Sequence, residues 1–113
     1  MNPERRADQR VHQELPVYIF RGGIPERVEM NDVSYRGVLL RMASPPGIRE
    51  LVKLRIDLPT GELVAHAVVA HVVGADERGL FSLGMRFFAL RNPEKSDWEQ
   101  FVATVIHGRQ RAA

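Results

Sequence analysis

The chain has 113 residues, 44% of them hydrophobic and 27% charged, the balance of one globular domain with a single core. That composition excludes a disordered tail, a collagen-like repeat and a coiled coil. The net charge of +2 is small for electrostatic capture of nucleic acid, and the absence of cysteine removes any disulfide framework, thiolate metal site or cysteine nucleophile.

In chain order, residues 1–14 are polar. Glu4, Arg5, Arg6, Asp8, Arg10 and Glu14 exclude the apolar stretch of a secretory signal, and the segment reads as a flexible, arginine-rich lead-in. Strands are then expected over 15–21 and 27–33, joined through Gly22, Gly23 and Pro25. Val38, Leu40 and Met42 mark a third, ended by Ser44-Pro45-Pro46-Gly47. The clearest period of two is Leu51–Leu58, where Val52, Leu54, Ile56 and Leu58 alternate with Lys53, Arg55 and Asp57. Residues 63–73 are apolar at both parities, as in a strand covered on both faces; His66 and His71 interrupt the run, which is too short to cross a bilayer. Residues 80–88 alternate again, with Phe81, Leu83, Met85 and Phe87 inward and Ser82, Gly84 and Arg86 outward.

The period then changes. Trp98, Phe101, Val102, Val105 and Ile106 form one stripe of an amphipathic helix over 92–107, with Asn92 as N-cap, Pro93 at the first helical position, Gly108 as the stop and 108–113 a frayed tail. The chain therefore reads as one mainly β domain over 1–113, a small six-stranded antiparallel β-barrel over 15–90 with one C-terminal α-helix. The helix stripe either covers an open mouth of the barrel or serves as a dimer surface.

Catalytic patterns are lacking. His66 and His71 are five apart, and odd spacing on a strand puts them on opposite faces, where they cannot share a metal. His12 and His107 have no clustered carboxylates. Ser34, Ser44, Ser82 and Ser96 lack a nucleophile-elbow context, and no phosphate-binding glycine loop occurs. The expectation is a protein that is not an enzyme and needs neither metal nor cofactor.

Two polar clusters stand out: Arg5-Arg6-Ala7-Asp8-Gln9-Arg10 before the first strand, and Asp32-Val33-Ser34-Tyr35-Arg36-Gly37 between the second and third. A carboxylate at a strand junction can accept two N–H donors from a base edge, and a serine hydroxyl can bond base or phosphate. Arginine is a planar fork suited to phosphates and guanine, and 14 of the 16 cations are arginine. Each cluster also has a plain structural reading, the arginines as a solvated charge run and Asp32, Ser34 and Gly37 as turn formers.

Together, Arg6-x-x-x-Arg10 and Asp32-x-Ser34-x-x-Gly37 resemble the signature of PilZ domains, bacterial receptors for cyclic diguanylate (cyclic di-GMP). Gly84-Met85-Arg86-Phe87 is similar to the family's last-strand pattern, so the resemblance spans almost the whole chain, and the barrel with its C-terminal helix is the family's fold. The resemblance implies that Arg6 and Arg10 grip guanine and phosphate, that Asp32 and Ser34 bond the base edge, and that Gly37 leaves room for the ligand. Arg5 resembles the extra arginine of members that bind an intercalated pair of nucleotides, implying two per protomer. Arg41, outward on its strand with Gly37 and Leu39, is a further candidate contact. The function implied is a cytoplasmic second-messenger receptor that signals through a ligand-induced change of its N-terminal loop and surface to a downstream protein, without membrane insertion. The rivals are a small nucleic-acid-binding barrel, which wants exposed aromatics interleaved with cations, and a ligand-free protein-interaction adaptor.

Overall fold

A computed structural model describes residues 9–112, the side chains of 109–112 excepted. Among the described residues seven strands precede one helix: β1 (Val11–His12), β2 (Val17–Arg21), β3 (Ile24–Val33), β4 (Gly37–Met42), β5 (Leu51–Leu58), β6 (Gly61–Val73), β7 (Phe81–Phe88) and α1 (Glu94–Ala112). All pairings are antiparallel, in the order β3-β2-β5-β6-β7-β4, and β4 pairs back onto β3 to close a six-stranded barrel. The seventh strand, β1, lies outside that ring on the end of β3. It corrects the expectation of a lead-in loose through residue 14: Val11 is buried against the core, and that burial docks the backbone beside it.

Alternation dictates most of the core. Val17 and Ile19 of β2, Val52, Leu54 and Ile56 of β5, and Leu63, Ala65, Ala67 and Val69 of β6 all point inward and are buried. Gly22 and Gly23, both at positive φ, make the two-residue turn that matches the twist of the β2–β3 hairpin. β6 corrects its expected double-sided burial. Its outward residues Val64, His66, Ala70 and Val73 are exposed, so its apolar outer positions reflect β-branched strand preference rather than a covering layer.

Two β-bulges interrupt the alternation. In β3, Met30 pairs with Leu40 and Asp32 with Leu39, leaving Asn31 as an extra residue. In β6, Val69 pairs with Met85 and His71 with Gly84, leaving Ala70 extra. Each extra residue reverses the faces of everything beyond it.

Helix α1 plugs one end of the barrel. Trp98 and Val102 are fully buried in the common core, with Phe101, Val105 and Ile106 packed against it, so the apolar stripe is satisfied within the chain. The Trp98 ring meets Phe87 edge-on at 5.0 Å. Asn92 Oδ1 accepts the Ser96 N–H at 3.2 Å, satisfying one first-turn donor. The helix runs through Gly108 to Ala112, beyond its expected end at 107, because Gly108 does not take the left-handed conformation of a helix-terminating glycine. Among the described residues no helix is long and apolar enough to cross a membrane.

Candidate functional site

The junction between β3 and β4 is a tight hairpin fixed from three sides. The Ser34 N–H donates to the Gly37 carbonyl at 3.0 Å, and the Ser34 hydroxyl leans on the same oxygen at 3.4 Å. The Trp98 indole N–H donates to the Ser34 carbonyl at 2.9 Å, and the Phe87 N–H to the Arg36 carbonyl, also at 2.9 Å. Helix and β7 thus hold the turn that presents Ser34. Gly37 pairs with Arg86, and a Cβ built on it would lie 1.8 Å from the Met85 carbonyl oxygen. Close strand packing therefore demands glycine here irrespective of any ligand.

Asp32 owes its direction to the bulge at Asn31. Val28 and Met30 face inward, so unbroken alternation would send Asp32 into the core; the extra residue turns it outward and returns Val33 to the inside. β1 runs alongside, with His12 opposite Asp32 and its Nδ1 3.6 Å from Oδ1. The same strand delivers Arg10, one residue before it, to the same place.

These residues surround an open cavity of about 340 Å³. Arg10, Asp32, Ser34 and Gly37 line it, joined by Arg36 of the turn, His71 of β6, and Gly84 and Arg86 of β7. Three arginines against one carboxylate make the lining cationic around a single hydrogen-bond acceptor of full charge, an arrangement suited to an anion that carries a polar N–H edge. His71 corrects the parity argument. The bulge at Ala70 turns it to the outer face, the same face as His66, so the two histidines are not on opposite sides. They remain five residues apart along β6, and among the described residues no group of three or more potential metal ligands occurs.

A model of the PilZ domain matches residues 4–104. The chain belongs to the PilZ domain family. The fold is also that of solved PilZ proteins. Bacillus subtilis inhibitor of motility MotI/DgrA aligns with TM-score 0.75 and 17% identity over 90% of this chain and 50% of its own. The K. pneumonia MrkH complex with c-di-GMP gives 0.74 and 17% over 93% and 54%. The PilZ domain of Escherichia coli YcgR with c-di-GMP gives 0.71 and 12% over 92% and 94%. At such identities the likeness is one of fold, and this chain spans about half the length of the MotI and MrkH chains. No curated protein matches it in sequence.

Within this PilZ domain, four of the seven residues singled out from sequence converge on the cavity: Arg10, Asp32, Ser34 and Gly37. Arg5 and Arg6 lie outside the described residues. Arg41 does not line the cavity. It faces outward four residues along β4 from Gly37, opposite Glu29 and Ser82, and its charge acts on Glu29 and Asp76 instead. There the Arg78 fork, bonded to both Glu29 carboxylate oxygens at 3.0 Å, holds that carboxyl below the ordinary range. Sequence reasoning missed Arg36, Arg86 and His71 as site residues. Arg86 was within reach, sharing the outward parity of Gly84; His71 was hidden by a bulge that leaves no mark in an apolar run.

Proposed function

We propose that this PilZ domain is a bacterial receptor for cyclic diguanylate, and that the cavity between β1, the β3–β4 turn and β7 is where the nucleotide sits. The observation carrying this reading is that Arg10, from ahead of β1, and Asp32 and Ser34, from the β3–β4 junction, line one cationic cavity, Asp32 only because β3 is bulged beside it. Two neighbours of the same fold, MrkH and the YcgR domain, are complexes with this ligand. In this reading Asp32 accepts the N–H donors of a guanine edge, Ser34 bonds base or phosphate, and Arg10 forks onto phosphate or guanine. Arg36 and Arg86 add charge against the phosphates. Arg5 and Arg6 join from the preceding segment, Arg5 supplying the extra cation for a second, interleaved nucleotide. Arg41, which does not line the cavity, is left out of the contact set.

The protein acts without catalysis, in the cytoplasm. Nucleotide binding changes the N-terminal loop and the surface around the turn, which a downstream protein then reads. The hydrogen bond from Trp98 to Ser34 gives that change a route to the helix.

Calorimetry with cyclic diguanylate against single-stranded DNA tests the reading. Saturable binding of the nucleotide near two equivalents, falling towards one in Arg5→Ala, is expected. Binding near one equivalent that Arg5→Ala leaves alone would remove the second nucleotide while keeping the receptor. DNA binding without nucleotide binding would overturn the assignment.

A further inference from the structure

The cavity has a wall that the PilZ signature does not contain. On β6, unbroken alternation from Leu63, Ala65, Ala67 and Val69 would bury residue 71 in the barrel. The bulge at Ala70 puts His71 outside, in register with Gly84. Its imidazole lies directly over that glycine: a Cβ added to Gly84 would meet Cε1 at 2.0 Å, Nε2 at 2.4 Å and Nδ1 at 2.6 Å. The missing side chain on β7 is therefore the space the ring occupies, and the ring borders the cavity while remaining exposed. Exposure lets it exchange protons with solvent.

We propose that His71 is a further contact for the bound nucleotide, and that the charge on its imidazole makes nucleotide affinity depend on pH. This rests on the cyclic diguanylate reading above. The charged and titratable groups around it are Arg10 ahead of β1, Asp32 on β3 with His12 of β1 beside it, Arg36 of the turn and Arg86 of β7. Guanidinium and carboxylate groups as a class keep their charge across neutral pH. The phosphodiesters stay anionic as well. Histidine is the side chain whose charge changes there, so His71 is the cavity group that alters the attraction for phosphate. The sign follows: the imidazolium favours the anion, so affinity rises as pH falls, and by reciprocity the bound anion makes His71 harder to deprotonate.

The test is calorimetric titration of the chain with cyclic diguanylate between pH 6 and pH 8. Wild type should bind about three- to tenfold more tightly at the acid end, the effect of one partly exposed charge on a phosphate. His71→Gln should flatten that profile near the wild-type value at pH 8, and His71→Lys should flatten it at the tighter level. His66→Gln, on the outer face of β6 but not bordering the cavity, should keep the wild-type slope. Melting curves confirm that each variant is folded. In parallel, the His71 ring resonances should report an upward pKa shift on adding nucleotide. Tight binding with a flat wild-type profile, or a slope that persists in His71→Gln, would overturn the inference and leave the receptor assignment intact. No binding at any pH would overturn both.

Discussion

Strand β5 and the pair β3 and β6 are built from the same kinds of residue yet do different work. β5 keeps step throughout: Val52, Leu54, Ile56 and Leu58 are buried, while Lys53 lies over the Phe20 ring, and Arg55 over Tyr18 and against Asp57. Nothing on it approaches the cavity. β3 and β6 begin with the same alternation and lose step once each, at Asn31 and Ala70, and the two slips send Asp32 and His71 to the one cavity. The slips have a cost. An extra backbone unit leaves the ladder, and Asn31 Oδ1 is buried with no hydrogen-bond partner. Regular strands hold this barrel together, and irregular ones aim its polar side chains.

Gly37 is where the two regions meet, so Gly37→Ala tests whether they are separable there. Its Cβ would sit 1.8 Å from the Met85 carbonyl, backbone against backbone, with no flexible side chain to yield. The substitution should destabilise the domain by about 4 kcal/mol or more, and the strand shift that relieves the clash also moves Ser34. Denaturant melts and nucleotide titration should both fail together. Unchanged stability with lost binding would mean that the glycine serves the ligand alone.

Leu54→Ala probes the regular region by itself. Leu54 is fully buried in β5, and truncation should cost about 3 kcal/mol through lost burial and a residual cavity. For a domain of this size that lowers the melting temperature by roughly 4 °C or more per kcal/mol. Well below the melt, nucleotide affinity should match wild type, since no cavity residue rests on β5.

The two regions also differ in how much of them the sequence discloses. β5 is legible residue by residue because burial on one face writes a period of two. The C-terminal helix is legible because Trp98, Phe101, Val102, Val105 and Ile106 write a period of 3.6. Neither bulge is legible. Val-Val-Ala-His-Val-Val looks the same with or without a slip at Ala70, and which residue drops out of register depends on the partner strand. β1 escaped for another reason: two residues cannot show a period, and only docking against Val33 makes them a strand. Arg10, Asp32, Ser34 and Gly37 were found through a spacing that resembles a family's, not through geometry. For Gly37 the geometry supplies a reason that the spacing did not contain.

Arg10→Ala probes the irregular region without touching the core. The side chain is exposed and borders the cavity, so its loss should leave the melting temperature within error of wild type. Nucleotide affinity should weaken by about 2–3 kcal/mol as a charge-assisted fork disappears. Loss of stability with affinity retained would return Arg10 to the status of a structural surface charge.

The smallest effect lies in the exposed ion pair between Arg78 and Glu29. The Arg78 fork is the chief cause of the lowered Glu29 pKa, and Asp76 close by is lowered mainly by the Leu80 N–H. Because Glu29 is depressed in the folded state, its stabilisation is present above the unfolded carboxylate pKa and is lost as pH falls through the folded value. Arg78→Ala should therefore melt only slightly below wild type at neutral pH, and the gap should close on acidification below the ordinary carboxylate range. The carboxylate of Asp76 should still be held by Leu80 in that variant, so its share of acid sensitivity persists. Both partners are solvent-exposed, and added salt should narrow the neutral-pH gap by screening. Nucleotide affinity should not move, because none of Glu29, Arg41, Asp76 and Arg78 lines the cavity. A change in affinity on Arg78→Ala would mean that this cluster, through the charge of Arg41 beside Glu29, acts on the ligand after all.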